Sequence, residues 1–276
     1  MSAAIDRQIE IPGHGQVVLR DIPGPVDDAP VVLLLHGLGA TARLNWGRCF
    51  RPLSERFRVL ALDHRGHGRG LPTRRFRLEQ CADDAAAAAE AVGVRRFVAV
   101  GYSMGGPIAS LSWRRHRHRV CGLVLCATAR HFASRPASRA ARVALPFAAG
   151  VARLSPRRVH GRLLDRMLSR VEHPQLRDRI RTEFSGHDPA AVIQASRALA
   201  SFSSHDWIGE VDVPTAVVIT TRDELVPPER QRKLADSIPG SEVFRVAGDH
   251  SACVSVSGFA STLVAACASV ADRAVW

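Results

Sequence analysis

Residues 96–107 read Arg96-Phe97-Val98-Ala99-Val100-Gly101-Tyr102-Ser103-Met104-Gly105-Gly106-Pro107. Phe97–Val100 is a short apolar run of the kind that forms a strand buried on both faces. Gly106–His116 follows with the character of a helix. Between them lies Gly101-Tyr102-Ser103-Met104-Gly105, a GxSxG pattern. A serine projecting from so sharp a strand-to-helix turn leaves room only for small residues two positions to either side. The five-residue pattern alone is weak, because it arises by chance; the strand before it and the helix after it make it specific. Ser103 is therefore the candidate nucleophile.

Working towards the N-terminus, Val31–Leu35 is a continuous apolar run that ends in His36-Gly37-Leu38-Gly39. A glycine-rich turn frees backbone N–H groups to face developing negative charge, and losing one such donor typically costs roughly 3–4 kcal/mol of transition-state stabilisation. The donors assigned here are the N–H groups of Leu38 and Met104, the latter directly after the serine. His36 is read as a structural member of the turn rather than a proton carrier.

The serine is inert at its own pKa and needs a base. His250, in Val246-Ala247-Gly248-Asp249-His250, lies just past the last predicted strand, where a loop can aim its ring across the sheet end. His116 and His118 sit at an arginine-rich helix end and read as solvated. Asp63, His64 and His67 fall in the glycine-rich Asp63-His64-Arg65-Gly66-His67-Gly68, which reads as a bracing loop in preference to a metal site. The base in turn needs an anion to fix its tautomer. Asp223, in Thr220-Thr221-Arg222-Asp223-Glu224-Leu225-Val226-Pro227, is ranked first, with Glu224 and Asp249 as rivals.

The remaining pattern alternates strands and helices. Strands are predicted at Ile5–Ile11, Gln16–Arg20, Val31–Leu35, Arg58–Leu62, Phe97–Val100, Cys121–Cys126, Thr215–Thr220 and Glu242–Val246. Helices are predicted at Thr41–Phe57, Leu78–Val92, Gly106–His116, Glu229–Ile238 and about Ser255–Asp272. Such alternation implies right-handed crossovers and an α/β fold with a mainly parallel, doubly wound sheet. Residues 130–204 break the rhythm with apolar residues at helical spacing (Val151, Leu154, Val159, Leu163, Met167, Val171) and read as a helical insertion. The core is then 1–129 and 205–276.

Composition sets the outer limits. Hydrophobic residues make up 46% of 276 residues, enough for a sizeable core, and 23% charged residues argue against disorder. The stretch Met1–Arg20 lacks the pattern of a signal peptide, and no run approaches the roughly 18 apolar residues that span a bilayer. The six cysteines contain no CxxC pair and read as buried thiols. The expectation is a cytoplasmic protein without metal or cofactor. The net charge of +12 is almost all arginine, Lys233 being the only lysine. From Arg114 to Thr182 seventeen arginines face three acids (Asp165, Glu172, Asp178). Coding bias accounts for this; alternatively, the stretch steers anionic substrates or docks on anionic membrane headgroups. No zinc-finger spacing and no interleaving of aromatics with basic residues points to nucleic acid.

Taken together, HGLG, DHRGHG, GYSMGG, TRDELVPP and GDHS resemble the α/β-hydrolase superfamily from about Ile5 onward, with the order Ser–Asp–His in the chain. Within it the sequence is most similar to bacterial carboxylesterases and the enol-lactonase-like group. The dehalogenase and epoxide-hydrolase branches carry aspartate where Ser103 stands. Ser-Met at the elbow resembles the cofactor-free haloperoxidases, from which Leu38 departs. The resemblance implies a Ser103–His250–Asp223 triad, an acyl-enzyme, a small-molecule ester or lactone substrate, and a cap formed by residues 130–204. Thioesterase, C–C hydrolase, acyltransferase and perhydrolase chemistry remain alternatives on the same fold, as does a non-catalytic ligand-binding homologue. Oligomeric state has no signal in the sequence.

Overall fold

The computed structural model describes residues 5–132 and 186–276. Eight strands form one sheet: β1 (Ile5–Ile11), β2 (Gly15–Ile22), β3 (Val31–Leu35), β4 (Arg58–Leu62), β5 (Phe97–Tyr102), β6 (Val120–Cys126), β7 (Thr215–Thr220) and β8 (Glu242–Val246). Their order across the sheet is β1-β2-β4-β3-β5-β6-β7-β8. The β1–β2 and β2–β4 pairs are antiparallel, and every later pair is parallel.

The central strands are apolar throughout because helices cover both faces. Side chains alternate between the two layers. Leu33, Leu35, Leu123, Leu125, Val217 and Ile219 join one core, under helices α3 (Leu78–Ala91) and α4 (Gly105–Arg115). Val32, Leu34, Val124, Cys126, Ala216 and Val218 join the other. That second layer is closed by α1 (Ala42–Trp46), α2 (Phe50–Ser54), α7 (Ala252–Ser255) and α8 (Phe259–Arg273). Helices α5 (Pro189–Ser201) and α6 (Pro228–Ala235) complete the described set, with a short 3₁₀ turn at Ile208–Glu210.

Five of the predicted strands keep their bounds and the other three change by a few residues, but three helices differ. The predicted helix Thr41–Phe57 is two short ones, α1 and α2. Pro52 has no N–H to give, and its ring would collide with the carbonyl of Arg48 in a continuous helix. The predicted helix near Ser255–Asp272 starts four residues later, as α8 at Phe259, because Val256 is extended (φ −98°, ψ 121°); the short α7 precedes it. Helix α6 stops at Ala235, three residues short of the predicted end. His116 is not simply solvated, since its Nε2 lies 2.9 Å from Asp83 Oδ1; His118 is exposed.

Of the predicted insertion, residues 130–132 and 186–204 are described. An antiparallel bridge between His131 and Ser203 closes its base. Helix α5 lies against the loop after β4: Asp188 N–H donates to Gly66 C=O, and Phe76 N–H donates to Gln194 Oε1. Val151, Leu154, Val159, Leu163, Met167 and Val171 lie outside the described residues. No described helix is long and apolar enough to cross a membrane. All six cysteines are free and buried.

Candidate active site

Ser103 stands where β5 turns into α4, with φ 51°. A left-handed conformation at a non-glycine residue costs on the order of 1–3 kcal/mol and persists only where neighbours enforce it. Here they do. The Ser103 N–H donates to Cys126 C=O at 2.9 Å, and the Ser103 C=O accepts from the Thr128 hydroxyl at 2.8 Å. A β-carbon on Gly101 would run into the backbone of Gly105, and one on Gly106 into the Thr128 side chain. The two glycines are thus what lets strand, serine and helix approach this closely.

His250 reaches Ser103 from the loop after β8, its Nε2 2.9 Å from Ser103 Oγ. Its Nδ1 lies 2.7 Å from Asp223 Oδ2. Asp223 follows β7 and is buried, yet each of its oxygens is served. Oδ1 accepts the N–H groups of Leu225 (3.0 Å) and Val226 (2.9 Å), and Oδ2 accepts the Thr220 hydroxyl (2.8 Å). Burial pushes the carboxyl upward, but the hydrogen bonds and the His250 ring outweigh it and hold Asp223 below the usual carboxylate range. The two loops are joined by Arg222, whose N–H donates to Gly248 C=O and whose guanidinium donates to Ala247 C=O. The rivals do not take part: Glu224 is exposed, and Asp249 turns outward to accept from Ser251 N–H at 2.8 Å.

Leu38 and Met104 bring up the third component. Gly37 is placed so that a β-carbon there would sit 3.4 Å from Ser103 Cβ, which lays the His36–Gly39 turn beside the serine. Asn45 on α1 holds that turn by accepting the Gly37 N–H at 2.9 Å. Among the described residues neither the Leu38 N–H nor the Met104 N–H is taken by an acceptor. Met104 also precedes the first turn of α4, where backbone dipoles favour negative charge.

His36 is structural here. The His64 N–H donates to its Nε2 at 2.9 Å, so its Nδ1 carries the proton and donates to Gly37 C=O at 2.8 Å. Burial pushes the ring down to about 3, where it stays neutral. His64, His67 and His187 lie alongside at an angle to one another, with ring centroids 4.2 Å apart for the tilted His36–His64 pair and 5.0 Å for the edge-on His67–His187 pair. Asp63 braces the same loop, accepting from Ala42 N–H and Arg69 N–H.

Four contributors were not legible beforehand: Thr220, Gln231, Asn45 and Tyr102. Gln231 had a signal, because it shares the spacing of Leu234, Ala235 and Ile238 and so occupies a core position on α6. An open groove of about 710 Å³ runs beside His250, edged by Leu225 and Val256.

Chemically, a hydroxyl whose proton can pass to an imidazole backed by a buried carboxylate, beside two free N–H donors, can add to a carbonyl carbon. The carbamate hydrolase RutD of Agrobacterium fabrum, so named, is 28% identical over 229 residues, 81% of this chain and 87% of its own. Among solved structures, a thermophilic esterase from Thermogutta terrifontis is 26% identical with TM-score 0.72, over 92% of this chain and 93% of the esterase. The enol-lactonase from Burkholderia xenovorans LB400, at 24% identity, shares the fold with TM-score 0.80 over 94% of this chain and 98% of its own. The sequence profile of the alpha/beta hydrolase fold matches residues 30–255, from just before β3 to the end of α7, and to that family of hydrolases the chain belongs.

Proposed function

We propose that this hydrolase cleaves carboxylic ester or lactone bonds through a Ser103–His250–Asp223 triad and an acyl-enzyme. The observation that carries the reading is the unbroken path from Ser103 Oγ to His250 to Asp223, at 2.9 and 2.7 Å. Ser103 Oγ attacks the carbonyl carbon while its proton passes to His250 Nε2. Asp223 holds the ring by Nδ1 and stabilises the imidazolium that forms. The carbonyl oxygen, now anionic, is received by the N–H groups of Leu38 and Met104. Collapse breaks the bond to the alcohol, which leaves with the proton from His250. Water then attacks the acyl-enzyme with His250 again as base, releasing the acid and restoring Ser103.

A carbamate is the second reading, favoured by the relative named for that activity over most of the chain. The same groups would act on its carbonyl. Residues 130–204 are proposed to cap the site and shape the acyl or alcohol pocket, with α5 anchoring the segment against the loop after β4. The basic stretch is proposed to steer anionic substrates or contact anionic headgroups. Its described arginines are engaged: Arg115 with Asp83, Arg119 with Glu90, Arg117 with Glu210, Arg114 over Trp207, Arg130 with Ser237. The steering surplus therefore falls to residues 135–181.

Turnover of p-nitrophenyl esters of graded chain length, lactones, thioesters and carbamates, alongside fluorophosphonate labelling, tests the proposal. Labelling lost in Ser103→Ala and an ester or lactone preferred are the expected results. A folded Ser103→Ala protein with near-normal turnover would overturn it, as would a wild type that neither labels nor turns over any ester.

A further inference from the structure

Gln231 is fully buried on α6, a helix whose other polar residues face outward, and it touches no part of Ser103 or His250. Its amide orientation is fixed by two backbone groups. The Thr220 N–H can only donate, and lies 3.0 Å from Oε1; the Val226 C=O can only accept, and lies 2.7 Å from Nε2. The second hydrogen on Nε2 then points to Thr220 Oγ1, 2.8 Å away, with Asp223 Oδ2 itself 3.4 Å from the same nitrogen. Since the Thr220 oxygen accepts from Gln231, the one hydroxyl hydrogen of Thr220 is left for Asp223 Oδ2, at 2.8 Å. Oδ2 is the same oxygen that receives His250 Nδ1.

We propose that Thr220 and Gln231 are a positioning pair: Gln231 orients the Thr220 hydroxyl, which fixes Asp223 and thereby the tautomer and angle of His250. The inference rests on the triad reading above. Without Gln231 the Thr220 hydroxyl is free to rotate away, and the carboxylate loses a fixed donor on the oxygen that faces the imidazole. The Gln231–Val226 bond matters for the same reason, because the Val226 N–H is itself a donor to Asp223 Oδ1. Neither side chain touches substrate, so the pair acts on rate and not on affinity.

The test compares Thr220→Val, which keeps shape and removes the hydroxyl, with Thr220→Ser, which keeps the hydroxyl. Gln231→Met, and the double variant with Thr220→Val, complete the set. The readouts are the rate of fluorophosphonate labelling at Ser103 and kcat and KM for one p-nitrophenyl ester, all per folded molecule. Thr220→Val and Gln231→Met should each slow labelling and kcat by about tenfold, with KM within about twofold of wild type. Thr220→Ser should keep most of the rate, and the double variant should be no slower than its slower parent, because both substitutions break one chain of bonds. The proposal is overturned if Thr220→Val and Gln231→Met stay within about twofold of wild type, if Thr220→Ser is as slow as Thr220→Val, or if the losses multiply. Should Thr220→Val not fold, Gln231→Met against Thr220→Ser decides. Labelled wild type beside unaffected variants removes this inference alone, whereas unlabelled wild type removes the triad reading.

Discussion

The hydroxyl of Tyr102, the chain's only tyrosine, donates to the backbone carbonyl of His250 at 2.9 Å. The residue before the nucleophile thereby holds the residue proposed as its base. Tyr102 is wedged edge-on between Trp46 and Phe259, so its hydroxyl has one direction to point. Tyr102→Phe keeps that packing and releases the loop. A neutral hydrogen bond of this kind contributes about 1 kcal/mol, so kcat for an ester should fall roughly fivefold. Steady-state kinetics beside a melting curve checks it: an unchanged kcat would show that the His250 loop needs no tether.

Asp223 and Asp249 separate the partner of His250 from its sequence neighbour. Asp223→Asn keeps the shape but invites the wrong tautomer. By analogy with the serine-protease case, kcat should fall by about 10⁴. Asp249→Asn should cost less than about tenfold, since its carboxylate faces Ser251 and solvent. Reversed ranks in kcat would name Asp249 as the working acid.

Two glycines test two different demands of the backbone. Gly106→Ala drives a methyl into Thr128, which holds the Ser103 carbonyl. It should cost about 1–3 kcal/mol of stability and reduce labelling of Ser103 as well. Gly93, at φ 74° with open space around it, only needs a left-handed backbone. Gly93→Ala should cost about 1 kcal/mol and leave activity intact. Urea titrations with labelling rates distinguish them; equal activity losses would refute the distinction.

Acid should loosen the buried histidine cluster. Burial pushes His36 and His67 down to about 3, and His64 is lowered for the same reason. In the unfolded chain the same rings titrate near 6.5. Their folded pKa is depressed, so the unfolded state binds more protons between about pH 6.5 and 3. Their contribution to stability is therefore constant above that window and falls with pH inside it, by up to about 1.4 kcal/mol per pH unit for each ring. Urea midpoints from pH 7 to 4 should drop steadily below about pH 6.5. A flat profile down to pH 4.5 would show that the rings accept protons without loss.

Much of this was legible in the sequence, for identifiable reasons. Strands buried on both faces are continuous apolar runs, so Val31–Leu35, Arg58–Leu62 and Thr215–Thr220 keep their predicted bounds, and the partly exposed edge strand Glu242–Val246 does so too. Ser103, His250 and Asp223 could be placed because each follows a recognisable strand, and the structure brings the three together. The helices were harder. Apolar spacing continues across Trp46–Phe50, and only Pro52 forbids a single helix. Thr220, Gln231 and Asn45 serve through side-chain hydrogen bonds across turns, and although the spacing of Gln231 marks it as a core position, no local pattern names the partner of any of the three. Most of the predicted cap, residues 133–185 of 130–204, lies outside what the structure describes.

The six buried thiols have a use beyond packing. Burial raises all six, Cys121 to about 11, Cys49 and Cys253 to about 12, and Cys81, Cys126 and Cys267 well above the usual thiol range, so none is a ready nucleophile while the chain is folded. Cys81, on α3, belongs to one layer of the core, whereas Cys49, Cys121, Cys126, Cys253 and Cys267 belong to the other. A brief pulse of alkylating reagent during unfolding would therefore count openings layer by layer, with mass as the clock. Early modification of Cys81 alone would mean that the α3–α4 side peels first; early modification of Cys253 would mean that the loop carrying His250 lets go before the sheet does. The molecule carries its own set of built-in reporters, one side marked once and the other five times.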